Sequence, residues 1–196
     1  MGPQPRRLLR VELKLLIVAP GWRETGAQNP TMTKDGRGIM AAKKPVHLGG
    51  AVLDKSRHVC AFFNSRNEEY EVLIPFIREG FDHGDKAYHI VESAHRPKHR
   101  QILKTAGVDT AKAEAQGQLD IKAWEDAYLR DGHFSQDRML KLIEQVLQTG
   151  KSQGYPLTRL VANMEWALQD LPGVEDLVEY ETRLNYVLPQ YDDAVC

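Results

Sequence analysis

Three observations predict an α/β fold with a mainly parallel sheet. Short β-rich runs alternate with helical apolar periodicities of ten or more residues. The first run, Arg57-His58-Val59-Cys60-Ala61-Phe62-Phe63, passes through a polar loop straight into a helix-like stretch from Glu68 to Phe81. After the last periodic segment, Asp193-Ala194-Val195-Cys196 reads as the opening of one more strand.

The elements follow in order. His58–Phe63 is the first predicted strand. Asn67 is the expected N-cap of the next helix, because Glu68, Glu69 and Glu71 favour the positive end of a helix dipole. Tyr70, Leu73, Ile74, Ile77 and Phe81 fall on one helical face. Pro75 lies inside that run and predicts a kink or an irregular first turn. His83-Gly84-Asp85 ends it. Residues 86–91 form the second strand, and residues 97–106 a short helix with Pro97 at its start, where proline is tolerated. Leu119-Asp120-Ile121 is a short third strand. Ser135 caps a helix over 136–153, whose Met139, Leu142, Ile143, Val146 and Leu147 make an apolar stripe. Residues 157–163 are the fourth strand and 174–188 the fourth helix. A parallel strand opened at residue 193 and cut four residues later reads as a domain that continues beyond this sequence.

Composition excludes several classes. Hydrophobic content of 42% and charged content of 27% are those of a soluble globular protein. The net charge of −1 conceals an asymmetry, since residues 1–47 hold 9 Lys/Arg against 3 Asp/Glu while the rest hold 17 against 24. The acidic body has no electrostatic footprint for nucleic acid. Residues 1–46 lack periodicity and are rich in Pro, Gly, Lys and Arg, so they read as leader and linker, with Met32 or Met40 as alternative starts. Residues 47–196 are the predicted domain. Two cysteines, Cys60 and Cys196, make no disulfide framework and suit a reducing cytosol. The run from Leu8 to Ala19 follows Arg6, Arg7 and Arg10, but Glu12 and Lys14 interrupt it, so neither export nor a membrane span is expected.

The first strand sits where a nucleotide-binding α/β protein carries its phosphate loop. Here the loop Asn64-Ser65-Arg66-Asn67 has no glycine and no Gly-Lys-Ser/Thr. His58, Cys60 and Phe62 are spaced by two and share one strand face. Ligands of open α/β sheets bind beyond the carboxyl ends of strands, and Cys60 and Phe62 lie toward that end. The His/Cys pair reads as a metal half-site, a redox-sensitive thiol or the polar lip of an apolar pocket. The plain alternative is a buried Cys acting as a small hydrophobe beside a satisfied His. His-x-Cys offers only two ligands, so no metal and no cofactor are expected. Glu165 and Trp166 follow the fourth strand, where they line the pocket or cap the next helix. Glu181 and Arg183 read as an intrahelical ion network, and His95, His99 and His133 as surface residues.

These pieces together carry a resemblance. His58-x-Cys60-x-Phe62-Phe63, Ile74-Pro75-Phe76-Ile77-x-x-Gly80, the strand near Tyr88–Val91, Met164-Glu165-Trp166-Ala167 and Glu179-Tyr180-Glu181-x-Arg183-Leu184-Asn185 resemble the MEDS domain, the sensory domain named for methanogens, methylotrophs and DcmR. The resemblance implies a RecA/KaiC-like three-layer sandwich, with helices on both faces of the sheet and no working phosphate loop. It implies a non-enzymatic cytoplasmic sensor of a small, weakly polar molecule, such as a hydrocarbon derivative. Such a sensor relays occupancy to a histidine kinase, a DNA-binding regulator or a sigma-factor system. His58, Cys60, Phe62, Phe63, Glu165 and Trp166 become the expected ligand-binding residues, with no catalytic residue. The family's closing strand and helix are absent from this sequence. The competing expectations are an anti-sigma-like module without ligand and a degenerate nucleotide-binding or Cys-dependent enzyme.

Overall fold

The computed structural model describes residues 44–53, 57–191 and 193–195. The expected leader therefore lies almost wholly outside the described residues, as does Cys196. The described chain opens on a hairpin that sequence reasoning passed over. β1 (Val46–Leu48) and β2 (Ala51–Leu53) pair antiparallel across Gly49-Gly50. Both glycines have positive φ, at 56° and 83°, as a two-residue hairpin turn of this hand requires. Val46 and Leu48 are buried in the core, so the body begins at least one residue before the expected boundary.

The main sheet is parallel throughout. β3 (Lys86–Val91) lies between β4 (Leu119–Ala123) and β5 (Thr158–Ala162), and β6 (Ala194–Val195) pairs with β5, giving the order β4-β3-β5-β6. The strand opened at Asp193 is thus real, with Arg159 opposite Ala194 and Leu160 opposite Val195. The first predicted strand is a correction. His58 makes one isolated bridge, and residues 59–63 join no ladder. Alternating side chains describe an extended segment, but a strand also needs a neighbouring backbone to bond it along its length. Cys60 and Phe62 are exposed, although His58 beside them packs against α6.

Among the described residues six α-helices accompany the sheet: α1 (Arg66–His83), α2 (Arg96–Thr105), α3 (Thr110–Ala115), α4 (Trp124–Ala127), α5 (Gln136–Ser152) and α6 (Leu177–Val187). Ser65, not Asn67, caps α1, its hydroxyl accepting from the Glu68 N–H. Gly84, at φ 79°, closes the helix in the left-handed region. α1 runs through Pro75 as one continuous helix. The short α3 and α4 were missed, because six and four residues are too few to show a periodic stripe. Among the described residues, no helix is long and apolar enough to cross a membrane.

Strand alternation splits the interior into two cores. Tyr88, Ile90 and Leu160 face α5, α6 and Trp124. Ala87, Val91, Ile121 and Val161 face α1, α2 and the hairpin. Into the second side projects Arg159, only 2% exposed. Its Nε donates to Asp85 at 2.8 Å, and its Nη1 to the Phe76 carbonyl at 2.9 Å and to Glu79 at 2.8 Å. Its guanidinium lies 4.9 Å from the Phe76 ring centroid. Gly80 makes room for the stem, since a Cβ there would come within 2.7 Å of the Arg159 Cδ.

Glu79 ties this arginine to the hairpin by accepting from the His47 backbone N–H at 3.0 Å and from its ring. Burial pushes the Glu79 carboxyl up, but His47 and Arg159 outweigh it and hold it at about 2, against an ordinary 4.5. A carboxylate depressed by folding contributes stability above its unfolded pKa, lost as pH falls through the folded one. Acid titration should therefore erode stability between roughly pH 4.5 and pH 2. Glu79→Gln should flatten that part of the denaturation profile, as read by urea midpoints at successive pH values. An unchanged acid limb would show that other groups carry it.

Candidate functional site

His58 and Cys60 both turn their side chains toward Glu181. α6 supplies the other wall. Glu181 and Asn185 stand one helical turn apart and meet these side chains together. His58 Nε2 lies 3.1 Å from Glu181 Oε2, and the Cys60 thiol donates to the same carboxylate at 3.7 Å. The ligand atoms of His58, Cys60 and Glu181 all fall within 4.8 Å of one another.

Asn185 fixes the imidazole. Its Nδ2 donates to the Glu181 backbone carbonyl at 3.1 Å, which turns its Oδ1 toward His58 Nδ1, also at 3.1 Å. A carboxamide oxygen only accepts, so His58 Nδ1 carries a proton and Nε2 is the atom aimed at Glu181 and Cys60. Burial works against a charge on His58, but the contacts with Cys60, Glu181 and Asn185 outweigh it and push the ring up to about 10. The ring is thus an imidazolium at neutral pH, with Nδ1–H directed at Asn185 and Nε2–H at Glu181.

Beneath this cluster lies an aromatic stack. Tyr128 and Tyr180 are hydrogen-bonded to each other, and both phenols are pushed up by burial and by nearby negative groups, Glu181 among them. Trp166 packs on Tyr128 with centroids 4.9 Å apart and on Phe134 at 5.1 Å. It is 0% exposed, and its indole N–H is buried without a hydrogen-bond partner among the described residues. Trp166 therefore stands behind the tyrosines as core and presents no face to a ligand at Cys60. Phe62 is 59% exposed beside the site, whereas Phe63 turns into the other core, toward α1. Of the six expected ligand-binding residues, the structure brings His58 and Cys60 together. It adds Glu181, which sequence reasoning had read as part of an intrahelical ion network, and Asn185, which it had named only within the family motif.

Glu165 belongs to a second polar cluster. It pairs with Arg66 in the first turn of α1, and Arg66 also donates to Glu69 at 3.2 Å and approaches His95 Nδ1 at 3.2 Å. Asn163 donates to Glu69 at 3.0 Å. These contacts occupy the start of α1. His99 corrects the expectation of a surface residue: it is 2% exposed. Its Nε2 lies 2.8 Å from His89 Nδ1 and its Nδ1 2.8 Å from the Tyr70 hydroxyl. Burial holds His99 down at about 4 and pushes His89 well below its ordinary value, so both rings are neutral. His95 and His133 are exposed, as expected. A cleft of about 260 Å³ lies elsewhere, between the end of α1 and α3, lined by Arg78, Asp82, Asp109 and Lys112 among others. None of the expected ligand-binding residues lines it.

Comparison with known proteins places this geometry in context. The model of the family described as "MEthanogen/methylotroph, DcmR Sensory domain", MEDS, matches residues 57–196. The transcriptional repressor DcmR of Methylorubrum extorquens (strain DSM 6343 / CIP 106787 / DM4) is 26% identical over 163 residues, covering 83% of this chain and 56% of its own length. The chain thus spans about half the length of the curated relative it matches. No solved structure matches.

Proposed function

The chain belongs to the MEDS family of sensory domains, and on that premise we propose that it is a non-enzymatic sensor that takes a small, weakly polar molecule against His58, Cys60 and Glu181 and relays its occupancy to a regulatory partner. The observation that carries this reading is the meeting of a thiol, an imidazolium and a carboxylate from distant parts of the chain at an exposed edge. Phe62 supplies an apolar neighbour for a hydrocarbon portion. A role in transcription control follows the DcmR relative, whose further length leaves room for an output domain. The scaffold is read as a RecA/KaiC-like relative without nucleotide chemistry. In support, the main sheet is parallel, and at the start of α1 Arg66 and Glu165 neutralise each other where a phosphate loop would have left a cradle.

The relay runs through α6. Its inner face carries Glu181, and Val178 and Tyr186, 77% and 76% exposed, stand on the same helix facing solvent. A ligand that moves Glu181 thereby shifts an exposed apolar surface suited to a protein partner.

Labelling of Cys60 tests the reading. The protein is treated with a small alkylating reagent, with and without short halogenated and hydroxylated hydrocarbons, and each cysteine is followed by mass spectrometry. At least one compound class should slow labelling at Cys60 and leave Cys196 unaffected. His58→Ala should remove that protection while the fold persists. If no compound alters either Cys60 labelling or the melting temperature, the site is not a sensing site for such molecules.

A further inference from the structure

A two-ligand His-x-Cys pair is weak evidence for a metal, but α6 supplies the third ligand that the sequence left unpaired. We infer that His58 Nε2, Cys60 Sγ and a Glu181 carboxylate oxygen form an open three-ligand site for a thiophilic divalent cation of the zinc class. The inference deepens the sensory reading, because the open fourth position is where a small ligand would meet the cation.

The geometry carries it in three ways. First, the donor set is imidazole nitrogen, thiolate sulfur and carboxylate oxygen, the types that zinc accepts, and three protein ligands plus an open position mark a reactive centre more than a structural one. Second, two of the three spacings fit, and the third pair, His58 and Cys60, falls within 4.8 Å. Tetrahedral bonds of ordinary zinc lengths place nitrogen and oxygen about 3.4 Å apart, and sulfur and oxygen about 3.6 Å apart. The observed separations are 3.1 Å for His58 Nε2 to Glu181 and 3.7 Å for Cys60 Sγ to Glu181. Third, the outer shell is in place. A ligating histidine ordinarily gives its other ring N–H to an acceptor that fixes its tautomer and orientation. Asn185 accepts from His58 Nδ1, and its own orientation is locked by donation to the Glu181 carbonyl. Nε2 is thereby left as the coordinating atom.

Cys60 is exposed, so a cation reaches the site without any opening of the fold. Ligation takes the thiolate and the unprotonated Nε2, so the cation replaces the proton network that holds the three residues in its absence. Asp and Glu elsewhere do not share this property, because a thiolate excludes magnesium and calcium in favour of softer ions.

The test uses untagged full-length protein, stripped with chelator, kept reduced and titrated with Co²⁺. One Co²⁺ per chain should bind, with a thiolate-to-cobalt charge-transfer band and visible bands of tetrahedral intensity that Zn²⁺ bleaches. Cys60→Ser should abolish the charge-transfer band, whereas Cys196→Ser should keep it. Glu181→Gln should weaken binding by more than the roughly 10- to 100-fold typical of outer-shell changes, and Asn185→Ala by an amount within that range. Circular dichroism and melting curves establish that each variant is folded, and Asn185→Ala, an exposed position, serves if Glu181→Gln does not fold. A charge-transfer band that survives Cys60→Ser, or no 1:1 binding at millimolar Co²⁺, overturns the inference. Cys60 protection by a hydrocarbon derivative in metal-free protein would then leave the sensory reading standing alone. Metal binding without any such protection would remove that reading and leave the metal site.

Discussion

Arg159→Ala is expected to destabilise the protein by about 3–5 kcal/mol, the cost of removing one partner from a buried ion pair. The reason lies in what stays behind. Asp85 is 2% exposed and accepts from Arg159 Nε, so without the guanidinium its carboxylate has lost its cation in a nearly dry site. Burial already pushes the Asp85 carboxyl upward, and Arg159 is the largest influence opposing that. Glu79 and the Phe76 carbonyl lose donors in the same substitution. Native domains hold only about 5–15 kcal/mol in all, so this single change consumes a large share. Urea denaturation measures it. The pairing can be separated from the packing by replacing both charges with apolar residues of similar volume. Asp85→Leu with Arg159→Met should cost less than Arg159→Ala alone, because no uncompensated charge remains. A double variant as unstable as the single would show that the arginine's stem, threaded past Gly80, matters more than its charge.

That arginine also marks where sequence patterning stops being informative. The segment 157–163 reads as a strand on its β-rich run, and the structure places β5 at Thr158–Ala162. Nothing in a local window says that Arg159 is buried, because its partners stand 74 and 80 residues away. The same holds for the candidate site. His58 and Cys60 were legible through their spacing of two. Glu181 was not, since its two partners lie 121 residues and more before it in sequence and a helical Glu with a nearby Arg looks like surface. Arg183 does behave that way, pairing with Asp137 and Gln136. His99 was misread for the opposite reason. α2 is polar along most of its length, and only contact with Tyr70 and His89 reveals that one histidine turns inward. Long periodic helices and β-branched strands were readable because burial repeats along them. The hairpin at Val46–Leu53, α3 and α4 were not, being three to six residues each.

Trp166 is the residue at which the sequence and the structure give opposite roles, and one pair of substitutions separates them. As a pocket wall it would tolerate truncation with little loss of stability, and the effect would fall on ligand protection of Cys60. As core it fills the space between Tyr128, Phe134 and Tyr180 with no exposed surface. Trp166→Ala should then cost about 3–5 kcal/mol, through lost transfer energy and the cavity left behind. Trp166→Phe should cost far less than that. It keeps an aromatic ring against Tyr128 and Phe134, and it removes an indole N–H that is buried without a partner among the described residues. An unsatisfied buried donor costs roughly 1–3 kcal/mol, so its removal offsets part of the lost volume. Chemical denaturation of the two variants, run beside Cys60 labelling, gives the decision. A Trp166→Phe protein nearly as stable as wild type with unaltered Cys60 labelling, and a Trp166→Ala protein that unfolds early, fit the core. A stable Trp166→Ala protein whose Cys60 no longer gains protection would return Trp166 to the ligand-binding set.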